Sequence, residues 1–307
     1  MPKIHVVKSI VIHAPVEKIY ATLSNFNHWQ AWSPWLIMDP DAAVKIAGDA
    51  KSYQWQGTRV GEGNMQILSE QKHQQIDYAL NFIKPWKSKA KVSFLLKPVA
   101  EGVEVFWSMD SSLPFFMFWM KKMMIAFIGM DYERGLKMLK EIVEDGEIQS
   151  KLEFKGPRDF PAIDYICVKG QCSTEALGTS METNFLKLED VMQQNETLRC
   201  GPPFSIYHKW DMVKKQVEYT AAIPVTEKPD SLPSYVEVGK MATTKVYTLR
   251  HVGAYQHLGN AWSTLYNMQR SKEIKCQKGI HPFEVYVNNP MEVAEKDLIT
   301  DIHFAIK

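Results

Sequence analysis

The sequence predicts an α+β protein built from two domains in tandem. Three observations carry this. Residues 42–109 alternate apolar and polar side chains, strand after strand, and run into a long helical stretch at 115–144. A second strand-and-helix pattern follows a short polar joint, Glu144-Asp-Gly-Glu147. That second pattern repeats itself, because Pro203-Phe-Ser-Ile-Tyr207 returns as Pro282-Phe-Glu-Val-Tyr286, an offset of 79 residues (207 to 286). The 307 residues suit two domains of ordinary size, placed at 1–147 and 148–307.

The first domain opens on a strand over residues 3–13, ended by Ala14-Pro15. Pro15 suits a helix start, where its missing N–H is not needed. The helix from Val16 carries Ile19, Tyr20 and Leu23 on one face, and a short helix follows near Asn27 to Trp32. Strands are expected at 51–56, 63–67, 75–82, 89–96 and 102–107, separated by turns at Gly57, Gly61-Glu-Gly63, Lys84-Pro85 and Ala100-Glu-Gly102. The second half of the long helix has an apolar stripe of Ile128, Tyr132, Leu136, Leu139 and Val143. Glu133/Lys137 and Lys140/Glu144 are spaced for ion pairs on its exposed face. Its first half is apolar nearly all round except for Lys121 and Lys122, which predicts burial on more than one side. Met117, Met120, Met123 and Met124 either line an adaptable cavity or are plain core.

Strand, two short helices, a run of antiparallel strands and a long closing helix make a curved sheet that grips the helix. At Val11–Tyr20, Asn25–Trp35 and Tyr132–Lys140 the chain resembles the START-like SRPBCC superfamily, and its polyketide cyclase/dehydrase-type members above all. The resemblance covers residues 1–147 and implies a helix-grip fold. It points to no catalytic acid/base pair.

In the second domain each repeat reads strand, helix, strand, strand. The first helix carries Leu177, Met181, Phe185, Leu188 and Met192, and the second Leu258, Ala261, Trp262, Leu265 and Met268. A duplicated β-α-β-β unit predicts two halves related by a pseudo-twofold axis, with a groove where they meet. On the strand from Phe283, side chains alternate, so Phe283, Val285 and Val287 face one way and Glu284 and Tyr286 the other. Glu284 is either a solvated residue on an outer face or a pocket carboxylate, which would be costly to bury unpaired. Ser205 occupies the equivalent place in the first repeat, so the acid is not demanded by the repeat's structure.

His251–Trp262, Pro282–Pro290, Leu298–Phe304 and Gly201–Asp211 resemble the GyrI-like small-molecule-binding domain. That family includes the effector-binding domains of multidrug-sensing transcription regulators. The resemblance covers residues 150–307. It implies that Glu284 lies in a ligand pocket and meets cationic aromatic compounds. Tyr207, Trp210, Tyr255, Trp262 and Tyr286 are the aromatic candidates to line it, although Trp262 also fits an apolar core stripe.

Three function classes follow. The first is a sensor or sequestering protein for a hydrophobic or cationic aromatic molecule. The second is a hydrolase of a reactive small molecule such as a cyclopropanoid, with Glu284 as general base. The third is a protein-partner inhibitor in the manner of gyrase inhibitors. A net charge of +1 without a basic cluster argues against a nucleic-acid surface, and the first domain stands where regulators carry a helix-turn-helix. Cys167, Cys172, Cys200 and Cys276 lack paired or metal-binding spacing, which predicts free thiols in a reducing compartment and no metal. His251, His281 and His303 likewise lack metal spacing. The N-terminus has no signal-peptide pattern, and Lys121-Lys122 break Leu113–Met130 into runs too short to span a bilayer. The expectation is a cytoplasmic protein without a membrane span and without a cofactor.

Overall fold

The computed structural model describes residues 2–307. The chain divides into two compact units, Met1–Gln149 and Ser150–Lys307, each with its own sheet.

The first unit contains strands β1 (Lys3–Ile12), β2 (Ala43–Ile46), β3 (Ser52–Gly57), β4 (Gly61–Gln71), β5 (Gln75–Lys84), β6 (Ser88–Val99) and β7 (Gly102–Ser112). They form one antiparallel sheet in the order β1-β7-β6-β5-β4-β3-β2. Helix α1 (Val16–Leu23) starts at Pro15 and buries Ile19 and Leu23. Asn25 then caps a 3-10 turn, Phe26–Ala31, by accepting the Asn27 N–H at 2.9 Å. Helix α2 (Lys121–Glu144) lies along β1 and closes the unit.

Aromatic rings fill the space between sheet and α2. Trp107 stacks on Tyr132 with ring centres 3.9 Å apart and on Phe94 at 4.9 Å. Phe26, Trp29, Trp32 and Tyr78 complete the cluster. A Cβ on Gly135 would fall 2.6 Å from the Trp107 ring, so the closest approach of helix and sheet depends on that glycine. Met117 and Met124 pack on the margin of this core.

The predicted stripe on α2 is buried at Tyr132, Leu136, Leu139 and Val143, and Ile128 is half-buried. Lys140 pairs with Glu144 at 2.9 Å, whereas Glu133 pairs across to Lys8 on β1. The expected burial around the first half of the long helix is overturned. Residues 115–120 form a 3-10 turn ahead of α2, and Phe115 is 77% and Trp119 67% exposed.

The second unit contains β8 (Ser150–Phe160), β9 (Ile163–Ser173), α3 (Leu177–Gln193), β10 (Phe204–Asp211), β11 (Gln216–Val225), β12 (Glu237–Met241), β13 (Thr244–Gly253), α4 (Leu258–Arg270), β14 (Phe283–Tyr286) and β15 (Ile299–Ala305). The repeat is therefore β9-α3-β10-β11 followed by β13-α4-β14-β15. The sheet order is β12-β9-β11-β10-β14-β15-β13-β8. Within it the strands β9-β11-β10 of one repeat meet β14-β15-β13 of the other in mirrored sequence. The outer strands are exchanged: β8, which leads into the first repeat, pairs with β13, and β12, which leads into the second, pairs with β9.

Two-residue links, Pro161-Ala162 and Ala242-Thr243, thus connect strands at opposite ends of the sheet order. The sheet has to curl to permit this. Phe160 and Met241, at the ends of the exchanged strands, pack with Phe204, Val246 and Phe283 into a small core on the sheet face away from Glu284. Leu188 and Met192 of α3, and Ala261, Leu265 and Met268 of α4, cover the opposite face.

Candidate functional site

The two repeats meet at the pairing of β10 with β14, and its register is Phe204↔Val285, Ser205↔Glu284 and Ile206↔Phe283. Of these pairs only Ser205 and Glu284 occupy equivalent places in the two copies, so the seam is centred on them. Alternation places Glu284 and Tyr286 on the helix-covered face and Phe283 and Val285 on the small-core face. Glu284 is 2% exposed.

Three neutral donors hold its carboxylate. Tyr207 donates to Oε2 at 3.0 Å, Tyr286 donates to Oε2 at 2.9 Å, and the Trp262 indole N–H donates to Oε1. Each comes from a different element: β10, β14 itself and α4. Among the described residues no basic side chain forms an ion pair with this carboxylate. Burial pushes the Glu284 carboxyl above its ordinary value, and the bonds from Trp262, Tyr286 and Tyr207 offset only part of that. Burial, reinforced by the neighbouring carboxylate, drives the Tyr207 and Tyr286 hydroxyls well above the usual phenol range, so both stay protonated donors.

A second row of rings surrounds the first. Trp262 meets Tyr207 edge-on at 5.0 Å, and Trp210 lies 5.7 Å from Tyr207. Tyr255, 38% exposed, meets Tyr286 at 5.9 Å, and its hydroxyl is pushed up to about 12 by burial and then by Glu284. Helix α3 contributes Phe185, edge-on to Tyr286 at 5.6 Å, and Met181, whose sulfur lies 3.7 Å from the Tyr207 hydroxyl.

Of the residues singled out in the sequence, Tyr207, Tyr286 and Trp262 touch Glu284, while Trp210 and Tyr255 stand behind them. Trp262 combines both roles weighed for it, packing in the core and donating to the carboxylate. Phe185 and Met181 were missed as site residues. Both lie on the predicted apolar stripe of α3, and the mirrored position of the two helices over the seam is the signal that could have exposed them.

The histidines are structural in their surroundings. The His251 ring lies 2.9 Å from the Ser150 hydroxyl and His303 2.9 Å from that of Thr248, and burial pulls each imidazole down to about 4. His281 packs its ring against His208 at 4.9 Å. Among the described residues no cluster of His, Cys, Asp or Glu could hold a metal ion, and no helix is long and apolar enough to cross a membrane.

Residues 3–144 match the family model described as polyketide cyclase/dehydrase and lipid transport. Residues 158–307 match that of the GyrI-like small molecule binding domain. No curated protein matches the chain. Among solved structures, a Mesorhizobium loti protein is 14% identical over 47% of this chain and 99% of its own, with a TM-score of 0.37. The C-terminal domain of EcmrR is 16% identical over 52% of this chain and 99% of its own, with a TM-score of 0.41. SAV2435 bound to tetraphenylphosphonium is 13% identical over 50% of this chain and 94% of its own, with a TM-score of 0.40.

Proposed function

The chain joins a polyketide cyclase-type domain to a GyrI-like small-molecule-binding domain, and from that premise we propose that its second unit binds a flat organic cation above Glu284. One observation carries this reading: a fully buried carboxylate held by three neutral donors and no cation. Burying such a charge is unfavourable without a positive partner, so a cationic ligand is the group that completes the site. The ring faces of Tyr207, Trp262 and Tyr286 add cation–π attraction of roughly 0.5–2 kcal/mol each. Neutral aromatic compounds gain only the ring contacts and bind more weakly. Free thiols at all four cysteines fit a reducing, cytoplasmic setting.

Calorimetric titration with a flat aromatic cation such as N-methylacridinium and with the neutral 9-methylanthracene of similar shape tests the proposal. Glu284→Gln should cost the cation about 1.5–3 kcal/mol and the neutral analogue much less. Equal affinity of wild type and Glu284→Gln for the cation would refute it.

The same carboxylate supports a second reading, hydrolysis of a strained small ring. Two tyrosine hydroxyls share one oxygen of a carboxyl whose proton affinity is raised, which is a usable acid/base pair. Turnover of a cyclopropanoid, lost in Glu284→Gln, distinguishes hydrolysis from binding alone.

A further inference from the structure

The turn Phe115–Met120 exposes four large rings in succession, with Phe115 and Phe116 each about three-quarters exposed and Phe118 and Trp119 nearly as open. A 3-10 turn repeats every three residues, so its side chains form three rows. Met117 and Met120 make the row turned back toward the protein, both half-buried, with Met117 on the core. Phe115 with Phe118, whose ring centres lie 6.3 Å apart, and Phe116 with Trp119 make two outward rows. Exposed apolar surface of this extent marks an interaction site.

The strand register extends the patch. Ser111 at the end of β7 pairs with Ala90 near the start of β6 and donates to the Lys89 carbonyl at 2.8 Å. The β5–β6 hairpin tip therefore lies at the sheet end from which the aromatic turn departs. That tip exposes Ile83 and Trp86 and carries Lys84, Lys87 and Lys89. Lys121 and Lys122, both exposed, follow the rings directly. Glu62 takes up Lys84 at 2.8 Å and Asp110 is hydrogen-bonded to His5 at 2.8 Å, which leaves Lys87, Lys89, Lys121 and Lys122 as the cations of the patch.

We infer that the Phe115–Met120 turn and the Ile83–Lys89 hairpin tip form a docking face for an anionic lipid bilayer, with Phe115, Phe116, Phe118 and Trp119 inserted at the headgroup–acyl boundary. Aromatic rings flanked by lysines are the composition of a membrane–water interface, where the ammonium groups meet phosphates. The turn is far too short to span a bilayer, so the unit lies on the surface. An amphipathic helix seated in a partner's groove presents a single apolar stripe. Two rows of rings diverging from one turn fit a fluid layer instead.

Co-sedimentation of the full chain with vesicles tests this. Wild type should bind vesicles of phosphatidylcholine with phosphatidylserine and bind pure phosphatidylcholine far less. Phe116→Ser with Trp119→Ser should lower partitioning by roughly 100-fold, because each ring withdrawn from the acyl boundary is worth about tenfold or more. Lys121→Gln with Lys122→Gln should cost about fivefold per lysine on anionic vesicles and leave the weak binding to neutral ones unchanged. All these side chains are exposed, and an unchanged melting temperature confirms folding in each variant. Wild type that stays in the supernatant with both vesicle types overturns the inference. So does binding unaffected by the double aromatic substitution, or a solution dimer that this substitution dissociates.

Discussion

Replacing Glu284 by Gln isolates the balance that holds the buried carboxyl. Ionisation strengthens three hydrogen bonds, from about 1 kcal/mol each for neutral pairs to about 1.5–3 kcal/mol. The cost of desolvating the charge is several kcal/mol even after relaxation. Burial therefore wins, which is why the carboxyl titrates above its ordinary value. The unfolded chain releases this proton near a pH of about 4.3, and the folded chain keeps it to higher pH. Between those points the unfolded state binds fewer protons, so wild-type stability falls by about 1.4 kcal/mol for each pH unit. The loss ends once the folded carboxyl ionises. The amide introduced by Glu284→Gln has no such proton. Its oxygen can accept from Trp262, and its nitrogen can donate to Tyr207 and Tyr286 once those hydroxyls turn. The stability of wild type relative to Glu284→Gln should be level in acid, fall with pH above the ordinary carboxyl value, then level off. Urea denaturation followed by hydrogen-exchange mass spectrometry of β10, β14 and β15 peptides measures it. A difference that is flat with pH, or that rises, refutes the reasoning.

Trp262→Phe keeps the ring against Tyr207 and Phe304 but removes the donor to Oε1. It should cost about 1–3 kcal/mol where Glu284 is ionised and less in acid, read from denaturation at the two ends of that pH range. Gly135→Ala should destabilise the first unit by about 1–3 kcal/mol, visible in its urea midpoint, because the methyl group meets the Trp107 ring. Asp301→Asn removes the charge and one of the two bonds from Arg250, at 2.7 and 2.9 Å, and should cost about 1.5–3 kcal/mol in the second unit. His251 and His303 have imidazoles depressed to about 4, so their contribution is complete above a pH of about 6.5 and is lost as pH falls toward 4. Proton NMR should find both neutral at pH values where exposed histidines are charged.

The alternation of Phe283 to Tyr286 and the 79-residue offset were enough to find the seam, but they left Glu284 either solvated or buried, and the family resemblance was needed to imply a pocket. The three rings on the carboxylate were legible because the repeat aligned Tyr207 with Tyr286 and helical periodicity faced Trp262 inward. The rows from α3 were not, because Phe185 and Met181 look like any other apolar stripe until two helices are set over one seam. The exchanged outer strands were equally hidden, since strand pairing between residues 150–160 and 244–253 leaves no local pattern. The opposite error arises at Phe115–Trp119. Unbroken apolar character suggests burial, yet it cannot distinguish a side chain covered by its own protein from one that waits for another surface.

The exchange of β8 and β12 also dictates the order in which the second unit can assemble. As the chain grows, β8 is made first of its ten elements, but its partner β13 comes only after the whole first repeat and β12. The first repeat in turn lacks its outer cover until β12 emerges to pair with β9. Neither repeat is a self-sufficient folding unit, although both follow the same strand-helix-strand-strand order. Pairing so distant in sequence raises contact order and slows folding. A chain cut in the Thr226–Val236 connection would leave β8 without its partner and β9 with a bare edge. The strand exchange therefore ties the two halves together, and the seam carrying Glu284 is assembled only when both are present.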